Sequence, residues 1–280
     1  MGQLSVLSRI ERKVAEILRW VDSVESIADW PAAFALGMFR TRPAEGSSVT
    51  ARWSRRLFPH IWIRPAKLGG LSVRIDPSEL SQFVIFDEAF IEGVYRLDAV
   101  PFTPDAIIDC GAFEGYFSLL AASRFPGVPI TAFEPNDRNL NGLKANVQRN
   151  HLTIDVRPCA VSTMDGTASF SGGGCGGRLG TPSAESIVVP VTDLCRLISE
   201  LKAERLLLKL DIEGEEATLL PALLPVLPKQ CAIFFEWHQG SEEYQRAVSQ
   251  LSVHGFVTSL TRENRVDDLT VYIDAFAQRN

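Results

Sequence analysis

The sequence predicts an α/β protein built on a doubly wound, mostly parallel sheet with a Rossmann-like order of strands and helices. Two observations support this fold class. Short apolar segments typical of buried strands alternate with segments of helical periodicity. Four of these strand segments also end in acidic or other titratable residues. Because ligands bind at the carboxyl edge of open α/β sheets, the same pattern predicts a functional site at that edge.

The first predicted strand, Ala106–Ile108, leads into a tight turn with the sequence DCGAFEG over 109–115. Gly111 and Gly115 let a ligand approach the backbone, and the following helix begins with unpaired N–H groups. Their G-x-x-x-G spacing differs from the G-x-G-x-x-G of dinucleotide-binding turns and from the P-loop pattern. Asp109 would repel a polyphosphate but attract an ammonium group. The turn therefore favours S-adenosylmethionine, and an ordinary βα turn is the alternative.

The second predicted strand, Ile130–Phe133, ends at Glu134, which follows the first glycine of the turn by 23 residues. In doubly wound folds an acidic residue about 20 residues past the glycine turn accepts hydrogen bonds from ribose hydroxyls. A surface glutamate at a strand end is the alternative interpretation. Either Asn136 or Asp137 would cap the next helix, predicted over 138–149.

The third predicted strand, Leu206–Leu210, continues into Asp211 and Glu213. Strict alternation along an extended strand would put Lys209, Asp211 and Glu213 on one face. Three charges on one face of a central strand are costly unless they pair or meet a ligand. The alternative is a purely structural Lys–Asp pair.

The fourth predicted strand, Cys231–His238, ends in titratable groups, among them His238. The titratable groups at the ends of the third and fourth strands provide four candidate catalytic residues: Lys209, Asp211, Glu213 and His238. Lys209 would orient a carboxylate or lower its pKa, and each of the other three could accept a proton.

These segments together resemble the FkbM family of S-adenosylmethionine-dependent methyltransferases over roughly residues 80–275: DCGAFEG, FEP-N, the A-V-S segment at 160–162, KLDIEG and E-x-H. The resemblance implies a class I methyltransferase sheet with an N-terminal helical/β appendage. It also implies O-methylation of a hydroxyl on a sugar or secondary-metabolite substrate. The cofactor-binding residues that it implies are Asp109, Gly111, Ala112 and Gly115 for the methionine part, Glu134 and Asn136 for the ribose, and Cys159 and Ala160 for the adenine. Asp211 would face the reacting methyl group.

The composition excludes several other classes. The 280 residues carry a net charge of −6 and are 46% hydrophobic, which suits one large α/β domain with an appendage. Five cysteines without a C-x-x-C pair argue against a disulfide scaffold and favour a cytoplasmic location. Four histidines show no metal-ligand spacing, so no metal is predicted. The longest apolar stretch, Leu219–Leu227, is too short for a bilayer, and no membrane partner is expected.

The amino-terminal part predicts separate elements. Apolar residues at heptad spacing over 7–28 indicate a helix that either docks on its own domain or pairs as a homodimer, and Pro31 marks its predicted end. The sequence thus divides into a helical segment (1–40), a basic and aromatic linker or cap (41–100), and the methyltransferase domain (101–280). The basic and aromatic residues over 40–67, including those over 52–62, suit a cap that attracts an anionic small-molecule or carrier-linked acceptor, and a solvated linker whose arginines pair with the acidic body is the alternative. The acidic chain makes nucleic acid an unfavoured partner.

Two other function classes share the predicted sheet. A nicotinamide-dependent oxidoreductase would require the G-x-G-x-x-G turn that 109–115 lacks. A non-catalytic nucleoside-binding protein would keep every pocket residue, so sequence does not separate it from an enzyme. The identity of the acceptor and of the general base also stays open at this level.

Overall fold

The computed structural model describes residues 14–15, 17–33, 60–77, 79–172, 176–180, 186–265 and 271–279. The chain divides into two compact units, Met1–Gly93 and Val94–Asn280. The three-part division made from the sequence stays a prediction. None of the helices in the described ranges has the length and apolarity needed to cross a membrane.

The amino-terminal unit combines short helical pieces with a small hairpin. Strands β1 (Ile61–Ile63) and β2 (Val73–Ile75) pair in antiparallel fashion. Helix α1 (Leu80–Phe86) continues directly into a π-helical segment, Asp87–Glu92. Such segments are rare and short, and here it ends at Gly93, which adopts a left-handed conformation.

The heptad segment contains a buried residue that lies outside its predicted apolar seam, which consists of positions 7, 10, 14, 17, 21, 24 and 28. Trp20 is buried and stacks on Phe86 with ring centroids 4.3 Å apart. Of the seam positions, Val24 is buried but Val14 is 48% exposed. The helical stretch ends at residue 22, so the prediction that it runs to Pro31 is wrong; a second helical piece occupies 30–33. The predicted seam positions before residue 14 lie outside the described residues.

The second unit contains a seven-stranded sheet. Its strands are β3 (Ala106–Cys110), β4 (Ile130–Phe133), β5 (Ile154–Arg157), β10 (Arg205–Leu210), β11 (Gln230–Trp237), β12 (Val257–Arg265) and β13 (Val271–Arg279). Their spatial order is β12-β13-β11-β10-β3-β4-β5. The five strands from β5 to β11 are parallel, and β13 pairs antiparallel with both β11 and β12. This topology confirms the predicted doubly wound α/β fold.

Helices cover the parallel strands: α2 (Tyr116–Arg124), α3 (Asp137–Arg149), α4 (Leu194–Glu200), α5 (Glu216–Leu223) and α6 (Ser241–Val253). The α3 cap is Asn136, whose side chain accepts from the backbone N–H groups of Arg138 and Asn139. Strands β3 and β10 are buried on both faces, and most of their residues are accordingly apolar. Asp109 and Lys209 are the buried charged residues in these two strands. These two buried charges are therefore the exception that requires an explanation.

A separate four-stranded sheet lies between β5 and β10 in sequence. It contains β6 (Ala160–Ser162), β7 (Gly166–Ser171), β8 (Arg178–Leu179) and β9 (Ile187–Asp193) in the order β6-β9-β7-β8. The residue pattern over 166–170 and 187–191 predicts a hairpin and its return, and the antiparallel pairing of β7 with β9 confirms it. The glycine-rich tract over 171–180 contributes β8, and its residues 173–175 lie outside the described residues.

The apolar and β-branched residues over 269–273 predict one carboxyl-terminal strand, whereas the structure has two long antiparallel strands, β12 and β13. The first of them escaped detection because its outward residues include apolar ones, Val257 (71% exposed) and Leu260 (53%), which spoil a regular alternation.

Candidate active site

The glycine turn after β3 is anchored to the end of β4. The backbone N–H groups of Gly111 and Ala112 both donate to the carbonyl oxygen of Phe133, at 3.1 and 2.9 Å. Gly111 has φ +74°, and a side chain there would overlap the carbonyl oxygen of Asp211. The turn, the end of β4 and the end of β10 therefore converge, as the carboxyl-edge argument predicted.

Glu134 holds the same turn through its side chain. Its Oε2 accepts from the N–H of Phe113 at 2.8 Å, and its Oε1 accepts from the N–H of Asn136 at 2.9 Å and from Asn139 Nδ2 at 3.3 Å. Burial raises the pKa of Glu134 to about 7, although these hydrogen bonds oppose the shift. The residue is not a surface glutamate, since its relative exposure is 4%.

Asp109 lies deeper than the sequence suggested. It is fully buried, and its carboxylate faces two side chains of this chain: Ser118 Oγ at 2.7 Å and Lys209 Nζ at 3.5 Å. The ammonium group beside Asp109 therefore belongs to the protein itself. A direct contact with a cofactor amino group stays a prediction that this geometry does not favour.

Lys209 connects β10 to the glycine turn. Its Nζ donates to the carbonyl oxygen of Gly111 at 2.9 Å and lies 3.2 Å from Asp211 Oδ2. Burial lowers the pKa of Lys209, but the nearby Asp211, Tyr95 and Asp109 outweigh it and hold that pKa well above its usual range. Lys209 therefore stays a cation, and it orients carboxylates and the turn rather than exchanging protons.

The predicted common face of Lys209, Asp211 and Glu213 is only partly correct. Strand β10 ends at Leu210, so the period of two stops before Glu213. Lys209 and Asp211 do meet, but Glu213 sits in a turn with φ +57°. That left-handed conformation redirects its side chain to His238, whose Nε2 lies 3.4 Å from Glu213 Oε2. Arg178 from β8 lies 4.0 Å from the same carboxylate.

Sequence analysis missed a buried carboxylate at the start of α5, Glu216. It is fully buried, and its Oε1 accepts from the N–H of Ile212 at 2.7 Å while its Oε2 accepts from the N–H of Gly214 at 2.8 Å. His238 Nδ1 lies 3.2 Å from Oε1. An acidic residue in the first turn of a predicted helix was the available signal, since such residues commonly satisfy backbone N–H groups.

The electrostatics of this cluster separate the candidate bases. Burial alone would lower the pKa of His238, but the hydrogen bond to Glu216 and the charges of Glu216, Asp211 and Glu236 raise it to about 10. His238 is therefore an imidazolium near neutral pH. Burial raises the pKa of Glu213 to about 7, which is the range suited to a general base.

One group of potential metal ligands occurs in the described ranges: Asp211, Glu216 and His238, with ligand atoms within 4.8 Å of one another. Glu216 is a poor ligand, however, because both of its oxygens already accept backbone N–H groups and Oε1 also faces His238. A carboxylate oxygen has two lone pairs, and both are engaged on Oε1. The group is a hydrogen-bonded network rather than a coordination sphere.

The remaining predicted cofactor residues lie around the ends of β3 to β5. Ala112 is buried in the glycine turn, and Gly115 is the N-cap of α2 with φ +83°. Cys159 and Ala160 are buried after β5, and Cys159 Sγ lies 3.3 Å from Thr192 Oγ1. All four cysteines in the described part of the chain are free thiols.

A cleft opens at the other end of this edge, beside β10 and β11. Aromatic side chains line it together with carboxylates, among them Tyr95, Phe234, Asp211 and Glu236. Lys209 lines it as well, so the cleft presents two carboxylates and one ammonium group, with Lys209 Nζ 3.2 Å from Asp211 Oδ2.

Comparison with known proteins identifies the family. The family model described as the methyltransferase FkbM domain matches residues 109–264, more than half of the chain. The chain belongs to the FkbM methyltransferase family. Membership confirms the predicted class, an S-adenosylmethionine-dependent methyltransferase, and it replaces the oxidoreductase alternative.

Individual relatives of this FkbM-family chain are more distant. The AMB antimetabolite synthetase AmbE of Pseudomonas aeruginosa is 34% identical over 88 residues, which are 31% of this chain and only 4% of the synthetase. A precorrin-6y C5,15-methyltransferase from Geobacter metallireducens is similar in structure, with a TM-score of 0.41 and 16% identity over 68% of this chain and 88% of that one. TYW2 of M. jannaschii, solved with AdoMet, has a TM-score of 0.45 and 14% identity over 79% of this chain and 87% of that one.

The residues of this FkbM-family chain fit the cofactor chemically. Oε2 of Glu134 accepts one hydrogen bond from the described residues, so a lone pair is available to a ribose hydroxyl. Asp211 and Glu236 line the cleft beside β10 and β11 and are the groups that would stabilise a sulfonium there, with Asp211 also held by Lys209 Nζ at 3.2 Å.

Proposed function

We propose that this chain is an O-methyltransferase that acts on a hydroxyl group of a sugar or secondary-metabolite substrate. The observation that carries the proposal is a carboxylate of suitable base strength at the carboxyl edge of the sheet. Glu213, with a pKa of about 7, pairs with His238 beside Asp211. A hydroxyl must lose its proton as it attacks, whereas a neutral amine can attack without prior deprotonation, so a built-in base supports an oxygen acceptor.

The residues divide the work as follows. S-adenosylmethionine supplies the methyl group on its sulfonium. The glycine turn with Glu134 would hold the nucleoside part, and Asp211 would lie closest to the transferring methyl group. Glu213 would take the hydroxyl proton on its carboxylate, while the His238 imidazolium stabilises the carboxylate before the proton arrives. Alignment of acceptor oxygen, methyl carbon and sulfur contributes the rest of the rate.

The acceptor class is supported by a relative and by the side chains that line the cleft. The relative named as an antimetabolite synthetase supports a secondary metabolite over a macromolecule. Tyr95 and Phe234 give the cleft aromatic walls, against which an apolar face of a small acceptor can pack. The anionic acceptor predicted from the basic segment over 52–62 depends on residues that mostly lie outside the described ranges.

The first experiment tests binding and turnover together. Isothermal titration should detect S-adenosylhomocysteine binding and no NADH binding. A panel of sugars, nucleotide sugars and hydroxylated amino acids is then incubated with S-adenosylmethionine labelled in its methyl group. Labelled product in which NMR or fragmentation places the methyl group on an oxygen supports O-methylation. Label found only on amines would contradict the oxygen acceptor.

The second experiment identifies the base on the acceptor so found. Glu213→Gln should lower turnover by about 10²–10⁴-fold, the usual contribution of a positioned base, with S-adenosylhomocysteine affinity preserved. Asp211→Asn and His238→Gln are the matched comparisons, since each removes one neighbouring charge with little change in size. If Glu213→Gln retains full turnover and one of the others does not, the base is that residue instead.

A further inference from the structure

A single buried carboxylate joins the two strand ends that carry the candidate catalytic groups. Glu216 contacts the turn after β10 through the N–H groups of Ile212 and Gly214. It contacts the end of β11 through His238 Nδ1. These three contacts span 2.7 to 3.2 Å, and the side chain has no exposure to solvent.

We propose that Glu216 is a positioning residue for methyl transfer, which fixes both the His238 imidazole and the turn that presents Asp211 and Glu213. The inference rests on the proposed function for its catalytic consequence. It assigns no contact between Glu216 and the substrate, because this carboxylate is enclosed by the protein.

The orientation of the imidazole follows from the hydrogen bonds of Glu216. Both of its oxygens accept backbone N–H groups, so the carboxyl group acts as an acceptor toward its third neighbour as well. His238 must then donate through Nδ1. Nε2 then faces the candidate base, with Glu213 Oε2 at 3.4 Å, and Glu236 Oε1 lies 4.0 Å away.

The turn requires the same carboxylate. Glu213 has φ +57°, a conformation that non-glycine residues rarely adopt, and Gly214 follows with φ +115°. The two N–H groups bound by Glu216 belong to the residues on either side of Glu213. Removing the acceptor would therefore release the backbone that aims the Glu213 side chain at His238.

The kinetic test compares two neighbouring glutamates. Glu216→Gln replaces one acceptor oxygen with an NH₂ group, which cannot accept from an N–H group. On the acceptor identified by the labelling panel, kcat should fall by about 10²-fold while KM for S-adenosylmethionine changes by less than about 3-fold. Glu215→Gln is the control, because Glu215 contacts Ser162 instead and should leave both constants unchanged. An unchanged kcat in Glu216→Gln, or equal losses in kcat and cofactor affinity, would overturn the proposal.

A spectroscopic test needs no acceptor. In the wild-type protein with S-adenosylhomocysteine, ¹H–¹⁵N spectra of the four histidines should contain a slowly exchanging Nδ1–H signal that disappears in His238→Gln. Glu215→Gln should keep this signal, and Glu216→Gln should speed its exchange by at least about 10-fold. Absence of the signal from the wild type would overturn the proposal even if Glu216→Gln does not fold. If the signal is present but no acceptor reacts, the proposed function fails and the positioning of His238 by Glu216 stands.

Discussion

At the scale of single residues, backbone N–H groups hold two buried glutamates at the sheet edge. Glu134 and Glu216 each accept two such bonds within 3.0 Å. Backbone donors satisfy a carboxylate without introducing a second side-chain charge that must also be desolvated. The arrangement keeps the carboxylates in fixed positions, and it raises the cost of changing either residue.

For Glu134 this dual use leads to a binding prediction. Glu134→Gln should weaken S-adenosylhomocysteine binding by about 2–3 kcal/mol, because hydrogen bonds to the ribose and to the turn both lose a charged acceptor. The change corresponds to a rise in Kd of about 30- to 150-fold in isothermal titration. Asp137→Asn, at an exposed position nearby, is the control. Unchanged affinity in a folded Glu134→Gln protein would remove Glu134 from the cofactor site.

At the scale of elements, close packing fixes one segment in each of the two units. The glycine turn passes so near the end of β10 that Gly111 has no room for a side chain. In the amino-terminal unit, the helical segment over 17–22 is held through Trp20, which contacts both Phe86 and Phe83.

The turn can be tested with a pair of glycines. Gly111 and Gly127 both have φ above +70°, but only at Gly111 would a methyl group overlap backbone, at the Asp211 carbonyl oxygen. Gly127→Ala should cost about 1–2 kcal/mol for the left-handed conformation alone. Gly111→Ala should cost about 2–5 kcal/mol, since overpacking is added. Urea unfolding measures both, and equal losses would mean that the close approach does not restrict the turn.

The amino-terminal helix can be tested at two positions. Trp20→Ala should destabilise the unit by about 3–5 kcal/mol, as expected for a buried aromatic side chain. Leu18→Ala removes a residue that is 53% exposed and should change stability by less than about 0.5 kcal/mol. Circular dichroism during urea unfolding gives both values. If instead Leu18→Ala is strongly destabilising and light scattering detects a dimer, the exposed side of the helix pairs with a second copy.

At the scale of the whole molecule, the titratable groups of the site make the free energy of unfolding depend on pH. Glu134 and Glu213 have pKa values of about 7 against an ordinary 4.5, and His238 has about 10 against 6.5. All three pKa values are raised, so the folded state binds these protons more tightly than the unfolded state does. Their stabilisation is complete below the ordinary pKa and is lost as pH rises through the folded-state value.

Because all three pKa values are raised in the folded state, the free energy of unfolding should fall as pH rises. The glutamates contribute a loss between pH 4.5 and about 7, and His238 contributes a loss between 6.5 and about 10. Urea midpoints measured across this range should therefore decrease, and His238→Gln should flatten the upper part of the curve. His254→Gln, at an exposed helix end, serves as the control and should follow the wild type. A wild-type midpoint that rises above neutral pH would contradict the assignment of His238 as an imidazolium.

Much of the site could be predicted from local patterns. The strand segments, the glycine turn and the carboxylates that follow the strands are encoded within short windows, because burial, turn geometry and strand period leave a direct mark on composition. Glu134 was found in this way, and so was the meeting of Lys209 with Asp211. The period of two failed where the chain left the strand, so Glu213 was assigned to the wrong surface.

The sequence by itself therefore determined the fold class, the methyltransferase family and the sheet edge at which the candidate site lies. Only the tertiary structure decided which distant groups meet: Asp109 with Lys209, Glu213 with His238, and Glu216 with both strand ends. The physical reason is that such pairs depend on strand register and on single backbone angles, such as the φ of +57° at Glu213. A change of one residue in register would alter every contact at the edge while leaving the local pattern the same.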